Sequence, residues 1–219
     1  MKKTICLFAF LLPLSALVSA QTFSLETGFL GTYSQVAEPE TAIFLEEANS
    51  GSGNDIYFGL VVGLNDKYAL RGGVRSWVWP FEPTTNTNDG GRVIEEGRIR
   101  YSGVYLRLDR TWQYFFLTGG FDGALTNSYA ANLSIEDQNG QTTVRQTGND
   151  TSVLTDEFNN QFNFVLGLGP SLPLGDKFLV RGIAEFVMPF VSVYESGEED
   201  GFNFFPVFKY GIGLEYKLN

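Results

Sequence analysis

The chain has 219 residues, of which 15% are aromatic and only 18% charged, and its formal net charge is −10. It contains no histidine and a single cysteine, which excludes Ser-His-Asp and Cys-His nucleophile pairs, Cys/His zinc sites and disulfide frameworks. The acidic balance argues against nucleic acid as a partner, because phosphates attract a basic surface.

The first twenty residues have the pattern of a bacterial secretory signal peptide. A basic start, Lys2-Lys3, precedes an apolar stretch, and Val18-Ser19-Ala20 gives the small residues of a cleavage site. The apolar stretch is too short to span a membrane. We therefore expect residues 1–20 to be cleaved and residues 21–219 to form one exported domain that contains no cysteine.

The rest of the chain alternates between apolar and polar residues, which is the pattern of β-strands with one apolar face. The last segment alternates most clearly, with Tyr210, Ile212, Leu214, Tyr216 and Leu218 on one parity and glycines with charged residues on the other. No segment after residue 21 has the period of an amphipathic helix. The alternation predicts eight strands, at residues 23–34, 56–64, 68–79, 98–108, 112–125, 162–172, 178–190 and 204–218.

The connections between these strands alternate in length. The three tight turns lie at 65–67, 109–111 and 173–176. The four long loops lie at 37–54, 80–97, 127–157 and 195–201. Short turns at one end and long loops at the other are typical of an up-and-down barrel in an outer membrane. Lipid accounts for the crowded apolar face, and closure of the sheet leaves no backbone group unpaired in lipid. The alternative is a secreted soluble β-barrel or sandwich, which carries its apolar face inside.

Two strands depart from this regular pattern. In 68–79 the parity leaves Trp77 and Trp79 on the polar face. We expect them, like Trp112 and Tyr114, in aromatic girdles at the membrane boundary, which for the first two requires a bulge or a position above the bilayer. In 98–108 the phase slips near residues 104–106, and this slip predicts a bulge there.

The pattern as a whole resembles the small outer-membrane β-barrel family of the OmpA/OmpX-like, eight-stranded kind. Residues 167–175, Gly-Leu-Gly-Pro-Ser-Leu-Pro-Leu-Gly, resemble barrels of Bacteroidota-type bacteria. The final strand resembles the signal read by the barrel assembly machinery, carried by Tyr210, Ile212, Leu214, Tyr216 and Leu218. The resemblance implies an all-β, eight-stranded antiparallel transmembrane barrel in outer-membrane lipid with both termini periplasmic. It also implies periplasmic chaperones and the assembly machinery as partners during biogenesis.

Charged residues of both signs fall on the inward parity of several strands. They are Glu26, Arg71, Arg75, Arg181, Glu185, Lys209 and Glu215. The interior of an eight-stranded barrel is only just wide enough for side chains, and a buried ion without a partner is strongly destabilising. We therefore hypothesise an Arg/Lys–Glu network that plugs the lumen, as is typical of the OmpA-like family. The alternative is that most of these charges are solvated near the barrel ends.

The long loops carry most of the acidic residues and one hairpin signal. Asn139-Gly140 lies between two alternating runs, which predicts a hairpin that projects beyond the membrane. Two interpretations are open: an edge within residues 127–157 that pairs with a strand of an extracellular or envelope protein, or a long hairpin that has no partner. A ten-stranded barrel that includes this hairpin is the architectural alternative. The acidic residues either keep the loops solvated or bind divalent cations, although no segment matches an EF-hand.

These features favour a non-enzymatic protein. The known outer-membrane barrel enzymes use a histidine, which this chain lacks, so we expect neither catalysis nor a cofactor. Three functions remain open. The first is a structural or adhesive barrel that presents acidic loops to a partner. The second is a narrow channel for small solutes or ions. The third is an accessory subunit of a secretion or envelope complex, or formally an acid-pair hydrolase, although no two carboxylates stand out.

Overall fold

The structure, a computed structural model, describes residues 22–37, 47–49, 51–86, 91–148, 160–191 and 203–218. Ten strands occupy most of these ranges. Their bounds are β1 Thr22–Ala37, β2 Glu47–Asn49, β3 Gly51–Gly63, β4 Tyr68–Asn86, β5 Arg92–Thr111, β6 Phe115–Glu136, β7 Thr142–Gly148, β8 Phe162–Leu174, β9 Phe178–Pro189 and β10 Asn203–Lys217. Within these ranges, no helix is both long and apolar enough to cross a membrane. The predicted signal peptide at 1–20 lies outside the described residues.

Eight of the strands close into a ring. Each of β1, β3, β4, β5, β6, β8, β9 and β10 pairs antiparallel with the next, and β10 pairs back to β1. The short strands β2 and β7 pair with the far ends of β4 and β6 and do not enter the ring. The structure therefore confirms the predicted eight-stranded antiparallel barrel, and the ten-stranded alternative is wrong.

The two ends of the barrel differ. One end, called here the turn end, carries the three short connections 64–67, 112–114 and 175–177. At the opposite end, called the loop end, three strands continue well past their predicted limits. β4 runs on to Asn86, β5 already begins at Arg92, and β6 runs on to Glu136. Most of the predicted loop 80–97 is therefore strand, because each of these three strands finds a hydrogen-bonding neighbour beyond the ring.

The barrel is apolar outside and charged inside. Every ring strand presents large apolar side chains that are more than a third exposed, for example Phe29, Phe58, Val74, Leu106, Phe121, Leu166, Met188 and Ile212. The alternate positions of these strands are buried, and in all of them except β8 they include Arg, Lys, Asp or Glu side chains. This distribution is the reverse of that in a soluble barrel, whose apolar face fills the interior, and it is the one that suits a lipid exterior.

Two predictions about irregular strands are wrong. Trp77 and Trp79 are completely buried inside the barrel and are not part of an outer girdle. β4 pairs with β5 without a register shift from Tyr68 to Phe81, so Trp77 and Trp79 keep the inward parity of the strand and fill space in the lumen beside Tyr101. β5 also alternates without a slip at residues 104–106. The extra residue of the register shift lies in the neighbouring strand β6. Ser102 pairs with Thr126 and Gly103 with Ala124, so Leu125 has no partner in this register.

Candidate functional site: the charged interior

The charged groups of the interior come from inward positions of seven of the eight ring strands, all except β8. Because side chains alternate between the two faces of a strand, each strand contributes every second residue to the lumen. Six carboxylates and five cationic side chains lie buried there and form ion pairs with one another. They form two groups, which we call the turn-side cluster and the loop-side cluster.

The turn-side cluster contains Glu26, Arg71, Asp109, Arg181 and Glu215. Arg71 binds Glu26 through Nε at 2.7 Å and lies 3.5 Å from Asp109 through Nη1. Arg181 contacts Asp109 at 2.5 Å and Glu215 at 3.0 Å. The two arginines therefore share one aspartate, and the chain of contacts crosses the lumen from β1 and β4 through β5 to β9 and β10.

The loop-side cluster is centred on Arg75. Its guanidinium donates to Asp55 at 2.8 Å and to Glu185 at 2.6 Å, and it lies 3.4 Å from Asp122. Lys209 contacts the same Asp55 at 2.7 Å. Arg107 contacts Asp122 at 2.5 Å and donates a second hydrogen bond to the Phe121 carbonyl oxygen at 2.6 Å. Six charged groups from six strands are thus joined in one network.

Aromatic side chains fill the space around the two clusters. The Tyr105 hydroxyl donates to Glu26 at 2.6 Å, and the Tyr57 ring lies between the guanidinium groups of Arg71 and Arg75, 5.9 Å from each. Towards the loop end, Lys209 Nζ lies 5.3 Å from the centre of the Trp77 ring.

The Trp77 ring in turn stacks on Tyr101, and Trp79 meets the same tyrosine edge-on at 5.4 Å. Trp77, Trp79 and Tyr101, which we call the aromatic layer, cover the loop-side cluster.

Little free volume is left between these groups. A cavity of about 10 Å³ lies among Tyr57, Arg71, Arg75, Tyr105, Arg107, Ile183 and Glu185. That volume holds about one water molecule. An arrangement of this kind is suited to fixing the strands to one another, because charges removed from water are tolerated only when they are paired and hydrogen-bonded.

The structure brings together all seven residues of the hypothesised network. Glu26, Arg71, Arg181 and Glu215 lie in the turn-side cluster, and Arg75, Glu185 and Lys209 in the loop-side cluster. Sequence reasoning missed four further members, namely Asp55, Arg107, Asp109 and Asp122. The strand parity contained the signal for each of them. Asp55 fell between the predicted loop 37–54 and the predicted strand 56–64, Asp109 was assigned to a turn, and Arg107 fell in the strand whose phase was misjudged.

The predicted assembly signal lies on the outer face of β10. Tyr210, Ile212, Leu214, Tyr216 and Leu218 are all exposed on the barrel exterior. β10 pairs on one side with β1 and on the other with β9, so it is the strand that closes the ring. Trp112 and Tyr114, the other two residues predicted for a girdle, are exposed in the connection at the turn end.

The described residues include only part of the acidic loops. Residues 38–46, 149–159 and 192–202, which hold many of their Asp and Glu side chains, lie outside the described residues. Within the described part of the chain, no group of three or more His, Cys, Asp or Glu is placed to hold a metal ion. The choice between solvated loops and cation-binding loops stays open, and both remain predictions.

Comparison with known proteins gives matches among solved structures. No protein-family model and no curated protein matches the chain. The chain is similar to the outer membrane protein OprG from Pseudomonas aeruginosa, with 14% identity, a TM-score of 0.47 and coverage of 92% of this chain and 97% of OprG. It is similar to Neisserial surface protein A, with 10% identity, a TM-score of 0.44 and coverage of 91% and 99%.

A third similar structure is Ail, the attachment invasion locus protein of Yersinia pestis. It is 13% identical, with a TM-score of 0.37 and coverage of 90% of this chain and 99% of Ail. At such low identities and TM-scores, the function of this chain has to be argued from its own residues.

Proposed function

We propose that the chain is a non-enzymatic, integral outer-membrane β-barrel that presents its loop end to a partner and whose lumen is closed by the two ion-pair clusters. The observation that carries the proposal is the reversal of polarity across the barrel wall. Apolar side chains surround all eight ring strands, whereas buried charges fill the interior. In water such an exterior would be a large aggregation-prone patch. In lipid it is the surface that stabilises the fold.

The filled interior favours an anchor over a channel. The clusters span the lumen between opposite strands, for example from Arg75 on β4 to Glu185 on β9 at 2.6 Å. Opening a path for ions would require these pairs to separate inside a low-dielectric wall, which leaves buried charges without partners. Trp77 and Tyr101 further fill the lumen on the loop side of the clusters.

The loop end supports a role in partner binding. Beyond the ring, β2, β4, β5, β6 and β7 pair side by side into one projecting sheet. Within the described residues, β7 pairs only with β6, through Ala131–Glu136. Its other edge is therefore placed to add a strand from a second protein, in the mode known as β-augmentation. This edge lies in the segment 127–157, which is the predicted partner-binding region.

The proposal includes a route to the membrane. Residues 1–20 direct export, and the exposed series on β10 from Tyr210 to Leu218 is read by the barrel assembly machinery after delivery by periplasmic chaperones. Both termini of the barrel then lie at the turn end, in the periplasm. The pairing of β10 with β1 and the pattern of its outer face support this order of events, in which the last strand closes the ring.

Three measurements test the proposal. Folded and boiled samples should migrate differently on a gel, and the protein should fractionate with outer membranes. Identical migration would contradict the barrel in lipid. For the closed lumen, the folded chain in a planar bilayer should show no large, stable conductance. A steady open conductance of the wild-type chain would refute the plugged interior while leaving the membrane barrel in place.

A further inference from the structure

A groove lies on the barrel surface where two short turns meet at the turn end. Its volume is about 360 Å³, and its lining residues are Asp66, Lys67, Arg110, Thr111, Trp112 and Gln113. The Thr111 N–H donates to the Lys67 carbonyl oxygen at 2.7 Å, and Tyr68 pairs with Arg110 across β4 and β5. The groove is therefore part of the hydrogen-bonded framework of the barrel. We call it the headgroup groove.

The groove displays two cations and one carboxylate. Lys67, Arg110 and Asp66 are all exposed, and within the described residues none of the three forms an ion pair. The Arg110 guanidinium lies 4.9 Å from the centre of the Trp112 ring and 5.9 Å from that of Tyr68. Stacking on two aromatic rings holds the guanidinium in place while leaving its edge free to donate hydrogen bonds.

The groove lies at the boundary between the apolar exterior and the turn end. Two leucines lie on the outer wall beside the groove, Leu108 near the turn end of β5 and Leu117 near the turn end of β6. Both are about half exposed. Trp112 and Tyr114 are exposed at the same end, and amphipathic rings of this kind are enriched at the headgroup level of a bilayer. A ligand in the groove would thus have its polar part at the turns and its apolar part along the wall.

We propose that the headgroup groove binds a zwitterionic aminophospholipid of the phosphatidylethanolamine class. The phosphate accepts hydrogen bonds from Arg110 and Lys67, because charge-assisted pairs of guanidinium and phosphate are among the strongest. The ammonium of the headgroup pairs with Asp66, and the acyl chains lie along Leu108 and Leu117. This inference rests on the proposed placement of the barrel in a membrane.

The carboxylate decides between lipid classes. A groove with Lys67 and Arg110 alone would favour an anionic lipid such as phosphatidylglycerol, whose headgroup carries only the negative phosphate. Asp66 repels the phosphate of phosphatidylglycerol only weakly, because Lys67 and Arg110 already hold that phosphate. The attraction between Asp66 and an ammonium group is stronger than this repulsion. We therefore expect selectivity for the amine-containing lipid.

A second turn of the barrel provides an internal control. The connection 175–177 has the same order of residues, Asp176-Lys177 followed by an aromatic residue, and the Lys177 carbonyl oxygen likewise accepts an N–H from the neighbouring strand at 2.8 Å. There, however, the neighbouring strand places Tyr216 beside Phe178, whereas the first turn places Arg110 beside Tyr68. The control turn has the lysine and the aspartate but lacks the stacked guanidinium.

The test uses the mature full-length chain folded in nanodiscs that contain equal amounts of dioleoyl phosphatidylethanolamine and dioleoyl phosphatidylglycerol. Native mass spectrometry after release from the disc counts the lipids that remain bound. The wild-type chain should retain phosphatidylethanolamine in preference to phosphatidylglycerol. Arg110→Gln should lower the retained phosphatidylethanolamine roughly tenfold, the equivalent of one charge-assisted contact, and Lys67→Gln should lower it in the same direction.

Three further variants sharpen the result. Asp66→Asn should keep lipid binding but reverse the preference towards phosphatidylglycerol. The matched control variants Asp176→Asn and Lys177→Gln should leave both quantities unchanged. Equal retention by the wild-type chain and Arg110→Gln, or an equal loss in Lys177→Gln, would overturn the inference.

Heat-modifiable migration of each variant separates this inference from the proposed function. A variant set that inserts and folds but shows no headgroup selectivity contradicts the headgroup groove alone. A wild-type chain that does not insert into the bilayer contradicts the membrane barrel itself.

Discussion

Tyr105 is a large aromatic residue that the alternation of β5 places in the lumen, where its one polar atom has a charged partner. Tyr105 lies between Val104 and Leu106, so by composition the three residues form an apolar run. In the barrel its neighbours face outward, while the tyrosine faces the lumen and donates to Glu26 at 2.6 Å. Arg71 occupies the other carboxylate oxygen of Glu26. The phenol therefore completes the pairing of a buried carboxylate and also fills lumen volume.

We predict that Tyr105→Phe lowers the free energy of unfolding by about 1.5–3 kcal/mol, the range for a hydrogen bond to a charged group. Equilibrium unfolding in urea, with the protein folded in lipid vesicles, measures the difference. Tyr210→Phe is the matched control, because the Tyr210 ring is exposed on the outer wall, and its effect should be within about 0.5 kcal/mol. Equal effects of the two substitutions would contradict the role assigned to Tyr105.

At the scale of the strand, close packing between neighbours depends on inward glycines. At Gly120 a Cβ would overlap the carbonyl oxygen of Leu106 and lie 2.9 Å from the Arg107 Cα, and both of these atoms belong to the backbone of β5. A backbone clash cannot be relieved by turning a side chain. The adjacent Gly119 faces the opposite side of the sheet, where a Cβ would meet only the end of the Leu166 side chain at 3.5 Å.

Gly120→Ala should therefore destabilise the barrel by about 1–3 kcal/mol or more, the usual effect of overpacking. Gly119→Ala should change stability by no more than about 0.5 kcal/mol, as expected for a surface substitution. The folded fraction on a gel without boiling, followed through a urea titration, compares the two adjacent variants under one condition. If Gly119→Ala were the more damaging substitution, the close approach of β5 and β6 would not be the cause.

The hairpin of β6 and β7 is also built at this scale. The Asp137 side chain accepts hydrogen bonds from the N–H groups of Asn139 and Gln141, each at 2.9 Å. Gly140 has φ +75°, in the left-handed region that glycine occupies without strain. The Asn-Gly signal in the sequence therefore predicted the turn correctly, because the turn depends on local backbone geometry alone.

At the scale of the whole molecule, the ring has one end of short turns and one end of long strands and loops. The projecting sheet of β2, β4, β5, β6 and β7 lies at the loop end, and both chain ends of the ring, at Thr22 and Lys217, lie at the turn end. If both termini are periplasmic, as proposed, the tip of the β6–β7 hairpin is on the cell surface.

An epitope inserted between Gln138 and Asn139 should therefore be labelled by antibody on intact cells. The same epitope between Asp176 and Lys177 should be labelled only after the outer membrane is made permeable. Both variants should keep heat-modifiable migration, because each insertion lies in a connection outside the ring. Surface labelling of the second site alone would reverse the proposed orientation.

The charged interior could be predicted only in part, and the reason is physical. Glu26, Arg181 and Glu185 lie in well-formed alternating segments, so parity alone assigned them to the lumen. Asp55 and Asp109 lie near strand ends that the sequence does not mark. Those strands extend as far as a neighbouring strand continues to supply hydrogen bonds, and such neighbours are contacts distant in the chain.

The sequence by itself determined the antiparallel topology and the reversed polarity of this protein, because a period of two along each strand is a local property. The choice between eight and ten strands needed the closed ring of the tertiary structure. Only the tertiary structure decided which inward charges pair across the lumen and that Trp77 and Trp79 lie inside it. It also decided that two turns distant in the chain form the groove around Arg110. These features depend on closure of the ring, which brings together residues whose proximity no local pattern encodes.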